Sequence, residues 1–409
     1  MNFLFAWRYF KAKKSANAIN IIAWVTVSVI AFATACQILV LSVFNGFEGL
    51  VKSLYASFYT DINIIPAKGK TFILTADQIR SIKQQPGVYA ISLVAQDKAL
   101  IKNDSVQTVV YLKGVDDNYV NVSGVASKIV DGTYNTGTLD NPQLVIGAGI
   151  QNAAGIYVEG ALKSPALTII LPKRGDYAIN DPISSLSEGT IMANGVFEIQ
   201  EDFDNKYAIT NINFVKQQMG FGRDEYSAVE IKLNNPENIT AEQKTLSNLM
   251  GPAYLVQTKY EQNTSLYDTL RLEKWAIYAI LTLILIVAAF NMVSALTMLV
   301  LEKQKDISVL QSMGANKDLI QKIFLTEGLL LGAIGAVTGI LLAIIICVLQ
   351  LKFKLIKLQG GSFLIDYFPV QLKVADFILV SVTVSIISFI ASWFPARKAA
   401  RQSFELRGS

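Results

Sequence analysis

The chain has 409 residues, of which 52% are hydrophobic and 17% charged, and its mean hydropathy is +0.39. That is too apolar for a wholly aqueous protein and too polar for one built only of membrane spans, so a few spans and a sizeable aqueous domain are expected. Histidine is absent, which excludes histidine acid–base chemistry, Ser-His-Asp triads and histidine-held metals. The net charge of +4, with no basic stripe interleaved with aromatics, gives no reason to expect nucleic acid.

Residues 1–16 mix Phe3, Phe5, Trp7, Tyr9 and Phe10 with Arg8, Lys11, Lys13 and Lys14. This composition suits an amphipathic helix in the inner membrane interface, the alternative being a frayed cytoplasmic end. Residues 17–45 hold the first predicted span, apolar from Ile19 to Phe44; at about 1.5 Å per residue, about 20 such residues cross the hydrocarbon. Cys36 follows "FATA", a faint likeness to a lipoprotein cleavage site. The apolar run continues past it, so an uncleaved span is expected. Cys347 also falls in an apolar run, and no disulfide is expected.

Residues 46–262 alternate turns with strand-like runs: "DINII", "YAISLVAQDKALIK", "TVVYLKGV", "QLVIG", "ALTIILP", "VFEIQE", "YAITNINF", "SAVEIKL" and "AYLVQTK". Capping boxes at Thr75–Gln78 and Thr240–Gln243 open two short helices, so the domain is expected to be α+β. "EDFD", Glu201 to Asp204, is read as a solvated turn rather than a calcium site. Leu171 to Asn194 is predicted as a long loop with Pro172, Lys173 and Arg174 near one end. A loop of that length either binds a partner or is a flexible connection.

Residues 263–301 contain neither proline nor glycine, so one helix is predicted to run from a stalk into the second span, with 263–300 alone spanning ~57 Å. The polar segment 302–322 follows. Ile307, Leu310 and Met313 recur at helical spacing, Gly314 permits the left-handed turn that ends a helix, and Asn316 can cap the next one. An apolar stripe there needs either the bilayer interface or a protein partner. The third span is predicted at 323–350, a short outer loop at 351–374, the fourth span at 375–395 and a tail at 396–409. Lys and Arg gather before the first span, between the second and third (Lys303, Lys305, Lys317, Lys322) and after the fourth (Arg397, Lys398, Arg401, Arg407). These segments share one side, which the positive-inside rule makes cytoplasmic, together with both termini. Lys352, Lys354, Lys357 and Lys373 in the outer loop dissent.

The segment "LEKQKDISVLQSMGANKDLIQKIFLTEGLLLGAIGAVTG" resembles the signature of the FtsX-like permeases of ABC systems, "EKxxEIxxLxxxGA…I…IFxxEGxxxGxxG". Asp306 stands where Glu is usual. "FPARKAARQSFELR" is similar to that family's ending, with Ser403-Phe404 in place of the common Asp-Pro. "FAWRYFKAKKSANAINIIAWVTVSVIAFATACQILVLSVFNGFE" and "LRLEKWAIYAILTLILIVAAFNMVSALTMLVLEKQKDI" resemble the lipoprotein-releasing (Lol C/E-type) permeases within the family.

The resemblance implies an integral membrane, α-helical permease: four transmembrane helices, a large periplasmic α+β domain between the first two, and a type VII-like mechanotransmission architecture. It implies residence in the inner membrane of a Gram-negative bacterium. A second permease copy, identical or paralogous, and a cytoplasmic ABC ATPase dimer would be the partners. The chain has no G-x-x-x-x-G-K-[ST] loop, so ATP and Mg would belong to the ATPase, with no cofactor, metal or catalytic residue here. The coupling helix would use Ile307, Leu310 and Met313 for apolar contact and Lys303, Lys305 and Asp306 as a polar rim, with Gly314 and Ala315 at its corner. The cargo would be an acylated lipoprotein drawn from among membrane lipids and handed to a periplasmic carrier. Leu39, Val40, Leu41, Val43, Phe44 and Phe47 would line the acyl cavity, and Pro172, Lys173 and Arg174 would belong to a carrier-binding loop. Two alternatives from the same family are a cell-division-type regulator that activates a cell-wall hydrolase and a split macrolide-exporter-like mechanotransmitter.

Overall fold

The computed structural model describes residues 17–158, 166–174, 185–358 and 367–401. The expected interfacial helix at 1–16 and the tail beyond 401 lie outside these residues, as does the tip of the predicted loop at 175–184. In chain order, helix α1 (Asn17–Phe58) leads to strands β1 (Ile62–Pro66) and β2 (Phe72–Ile73) and helix α2 (Ala76–Lys83). Then come β3 (Val88–Asn103), β4 (Val106–Val115), α3 (Tyr119–Val122), β5 (Ile129–Gly132), β6 (Gln143–Gly147) and α4 (Ala148–Ala154). β7 (Ala166–Pro172), β8 (Leu186–Phe197), α5 (Glu201–Asp204), β9 (Tyr207–Asn211) and α6 (Ile212–Met219) follow. β10 (Glu225–Tyr226), β11 (Ala228–Leu233), α7 (Ile239–Met250) and β12 (Tyr254–Thr258) complete the interposed domain. The long helix α8 (Thr264–Glu302), the short α9 (Gln304–Ser312), α10 (Lys317–Phe353) and α11 (Val374–Ala400) close the described chain.

The chain divides into two compact units. One is made of residues 1–50, 268–360 and 365–409, the other of residues 51–267 with 361–364. Helices α1, α8, α10 and α11 are each long and apolar enough to cross a membrane. Within the first unit they share a core that includes Val27, Ile38, Leu41, Leu285, Met292, Leu331 and Val380. Glycines let α10 approach two neighbours at once. A Cβ at Gly328 or Gly332 would strike Ser392 or Ser388 of α11, and one at Gly335 or Gly339 would strike the Val27–Thr34 stretch of α1. Without a hydrophobic drive between helices in lipid, such close backbone packing supplies the cohesion.

The second unit is α+β. Its main sheet runs β12–β1–β11–β3–β4–β9–β6–β8–β5, with β7 bridging β3 and β8. That bridge closes a circuit of backbone pairing through β3, β4, β9, β6, β8 and β7. Alternation sends Ile62, Ile64, Val229 and Ile231 into the core shared with Leu112, Ile146 and Val196. Side chains on the other face include Lys113 and Glu230, whose Nζ and Oε1 lie 2.7 Å apart with both residues buried. Lys113 also donates to Tyr119 Oη at 2.9 Å and lies over the Phe58 ring, 4.9 Å from its centroid. Burial alone would lower the lysine's pKa, but Glu230 and Tyr119 outweigh it and hold Lys113 above the ordinary lysine range.

Several boundaries differ from those expected. α1 does not stop at 45. It passes Gly46, whose missing Cβ admits the backbone of Pro369, and ends where Phe58 stacks on Phe203 with centroids 4.4 Å apart. α10 starts at Lys317 rather than 323, and α11 runs through Pro395 to Ala400. Leu186 to Asn194 is strand, paired antiparallel with β7 as far as Met192, so the predicted loop at 171–194 is shorter at both ends, and what remains of it lies largely outside the described residues. "YAITNINF" is half strand and half helix, because the Asn211 side chain caps α6. The box at Thr75–Gln78 forms as expected. Thr240 caps nothing: a 3₁₀ turn at Pro236–Asn238 already starts the helix, and Gln243 donates instead to the Val256 carbonyl. "EDFD" is a short helix in which Phe203 and Asp204 are buried, not a solvated turn. Asp204 accepts from the Ile199 N–H at 2.9 Å, and burial pushes its carboxyl up to about 6.

Candidate functional site

The corner after α8 is built by local chemistry. Lys303 precedes α9, and its Nζ donates to Asp306 Oδ2 at 2.8 Å. Ile307 is buried in a cluster with Leu299, Val300, Ile320, Phe324, Ala396 and Ala399, so α9 is pinned to the ends of α8, α10 and α11. Gly314 has φ +93°, where a side chain would be strained. The Ala315 N–H then reaches back to the Leu310 carbonyl at 2.9 Å, satisfying a carbonyl at the helix end. Asn316 Oδ1 accepts from the Leu319 N–H at 2.9 Å and starts α10.

What α9 offers outward differs from the expected stripe. Ile307 faces inward and Leu310 is half-buried, while Val309 and Met313 are exposed, Met313 at 79%. These two lie one turn apart on one face and are flanked by exposed Lys305. Sequence reasoning missed Val309. The signal was its i, i+4 spacing to Met313, hidden by a register that placed Ile307 on the same stripe.

The residues expected to line an acyl cavity do not form one wall. Leu41 is fully buried in the core among the long helices. Val40 is exposed at 40%; Leu39, Val43, Phe44 and Phe47 are half-buried. The Phe47 ring packs edge-on against Phe368, centroids 5.8 Å apart. The exposed face of α1 carries Ile21, Trp24, Val25, Phe32 and Val40.

At the hairpin, Pro172 ends β7, and the Lys173 N–H donates to the Ser185 carbonyl at 2.7 Å. Arg174 is tied down. Its N–H donates to the Met219 carbonyl at 2.9 Å, and its guanidinium pairs with Glu225 and donates to Thr71 Oγ1 at 2.8 Å. Arg174 is thus an anchor of the loop's base. Exposed Lys173 borders a cleft of about 290 Å³ that includes Lys70, Asp97 and Phe221. Among the described residues no group of three or more Cys, Asp or Glu is placed to hold a metal.

The FtsX-like permease C-terminal family matches residues 278–404, which take in most of α8 and all of α9, α10 and α11. The MacB-like periplasmic core domain family matches residues 23–249. The chain is 26% identical to the lipoprotein-releasing system transmembrane protein LolC of Neisseria meningitidis serogroup B, covering 97% of this chain and 96% of that one. It is also 26% identical to LolE of Haemophilus influenzae, covering 98% and 97%. The periplasmic region of MacB from Actinobacillus actinomycetemcomitans aligns with 54% of this chain and 98% of its own at 11% identity, with a TM-score of 0.36. A chain whose residues 23–249 match the core-domain family and whose residues 278–404 match the permease family belongs to the FtsX-like permeases that carry a MacB-like periplasmic core domain.

Proposed function

We propose that this chain is the transmembrane permease subunit of an ABC system that extracts acylated lipoproteins from the outer leaflet of an inner membrane and passes them to a periplasmic carrier. The observation that carries the reading is end-to-end similarity to LolC and LolE, spanning the membrane helices and the interposed domain alike. Both termini and α9 face the cytoplasm in this reading, and residues 59–263 face the periplasm. The chain works beside a second permease copy and catalyses no reaction itself. ATP and Mg bind a separate cytoplasmic ATPase pair.

Moving an acyl chain into water costs about 0.8 kcal/mol per CH₂, so extraction needs an external source of work. That work enters where the ATPase grips Val309 and Met313 on α9. Ile307 passes the displacement to α8, α10 and α11 through the cluster it joins. α8, a single 39-residue helix, carries it to the periplasmic side. Acyl chains contact the exposed face of α1 near Val40, and the segment that begins at exposed Lys173 receives the carrier. The test is reconstitution with the ATPase and a photo-crosslinker at Val40. Capture of triacylated lipoprotein, and its ATP-dependent transfer to carrier, supports the reading. Capture of phospholipid alone, with a cell-wall hydrolase trapped on the interposed domain, replaces it with the regulatory alternative.

A further inference from the structure

Three polar side chains from three long helices meet inside the membrane unit. Asp376, in the first turn of α11, has Oδ1 3.1 Å from Lys274 Nζ of α8. Its Oδ2 accepts from Asn45 Nδ2 of α1 at 2.5 Å. Lys274 Nζ closes the triangle by donating to Asn45 Oδ1 at 2.9 Å. Asn45 is fully buried and Asp376 nearly so, while Lys274 is half-buried. Each group touches both others, and the charges neutralise within the cluster.

The triangle does not stand alone. Four and eight residues further along α8, Tyr278 meets Thr383 of α11 at 2.5 Å, and Thr282 accepts from Gln37 of α1 at 3.2 Å. One edge of α8 therefore holds polar contacts to α1 or α11 at each successive turn. Beside the triangle, the Gln371 N–H donates to the Ser42 carbonyl at 2.9 Å, and Lys373 pairs with Glu48 at 3.1 Å.

A buried ion pair is a poor way to gain stability, since apolar side chains of equal volume pack at least as well. Ionisable groups within spans are costly, and they mark function. Opening this triangle would strand the buried Asp376 carboxylate in a low-dielectric setting, so it resists partial separation. We propose that Asn45, Lys274 and Asp376 form a positioning latch that makes the adjoining ends of α1, α8 and α11 move as one body, and that substrate release requires it. The release half of this statement rests on the proposed function; the rigidity half does not.

The test uses the full permease–ATPase complex in liposomes. With Cys36 and Cys347 replaced by alanine, nitroxides at Val40→Cys and Ile280→Cys report the separation of α1 and α8, and release is measured separately on complexes without the labels or their cysteines. The native latch gives one narrow distance distribution, unchanged between nucleotide-free and ATP-bound complexes. A distribution that shifts with ATP overturns the latch, even if lipoprotein release proceeds. Lys274→Met/Asp376→Leu keeps the packing but removes the polar contacts that fix one arrangement; its distribution broadens and its release rate falls about tenfold, about 1.4 kcal/mol in activation free energy. Native release by this pair overturns the functional half. If the unsubstituted complex releases no lipoprotein, the proposed function fails, while the distance measurement still decides the latch.

Discussion

Ile307 and Phe324 lie in one small apolar cluster, so α9, the helix proposed to meet the ATPase, is packed onto α10 rather than hung from a loop. Pushing α9 moves α10 with it. This arrangement separates two roles within nine residues, Gln304 to Ser312. Ile307 holds the helix to its own chain, and Val309, with Met313 just past the helix end, faces outward.

The two roles predict opposite phenotypes. Ile307→Ala should destabilise the corner by about 2 to 4 kcal/mol, read as faster amide exchange across α9 and the start of α10. Met313→Asp should leave exchange unchanged and weaken ATPase association about tenfold, or about 1.4 kcal/mol, read by co-purification and titration. Equal loss of partner with both variants, at equal stability, would contradict the division.

The buried pair in the interposed domain gives a second test. Lys113→Met strands Glu230 and should cost about 3 to 5 kcal/mol, whereas Lys113→Met/Glu230→Leu should fall within about 1 kcal/mol of native. Chemical denaturation followed by the aromatic signal of the Phe58–Phe203–Tyr207 cluster reads both.

Asp204 supplies a pH prediction. Its folded pKa, pushed up to about 6 by burial, exceeds the unfolded value of about 3.9. The folded state therefore binds the extra proton, and acidification through that window stabilises it. Above about pH 6 the buried charge is a standing penalty. Asp204→Asn, whose amide oxygen can still accept from Ile199, should raise the domain's unfolding midpoint at pH 8 and leave it unchanged at pH 4. An equal effect at both pH values would locate the penalty elsewhere.

Photo-crosslinkers separate the two adjacent residues at the expected acyl wall. Val40 should capture lipid or lipoprotein acyl chains, and Leu41, buried among the long helices, should capture α8, α10 or α11 instead. Acyl capture at Leu41 equal to that at Val40 would mean that the core opens.

The long helices were legible because hydrocarbon imposes a length of apolar sequence that few other settings tolerate. Asn316 and the Thr75–Gln78 box were legible because caps are local chemistry. Thr240 misled because the helix was already under way from Pro236. The strand at Leu186–Asn194 was hidden by alternation with small and polar residues, which pack well only once β7 lies alongside. Leu41 and Val40 are alike in composition, and only the placement of three other helices turns one inward and the other out. The Asn45–Lys274–Asp376 triangle was invisible for the same reason: its members are 229 or more residues from Asn45 along the chain, and each reads alone as an ordinary polar residue near a span end.

The most direct test of the whole account is the sidedness of α9. A single cysteine at exposed Met313, in an otherwise cysteine-free chain, is treated with a membrane-impermeant maleimide in intact spheroplasts and again after permeabilisation. Labelling is expected only once the membrane is breached, with bound ATPase then slowing the reaction. Full labelling in intact spheroplasts would put the corner on the periplasmic side and contradict transmission of ATP-driven work through it.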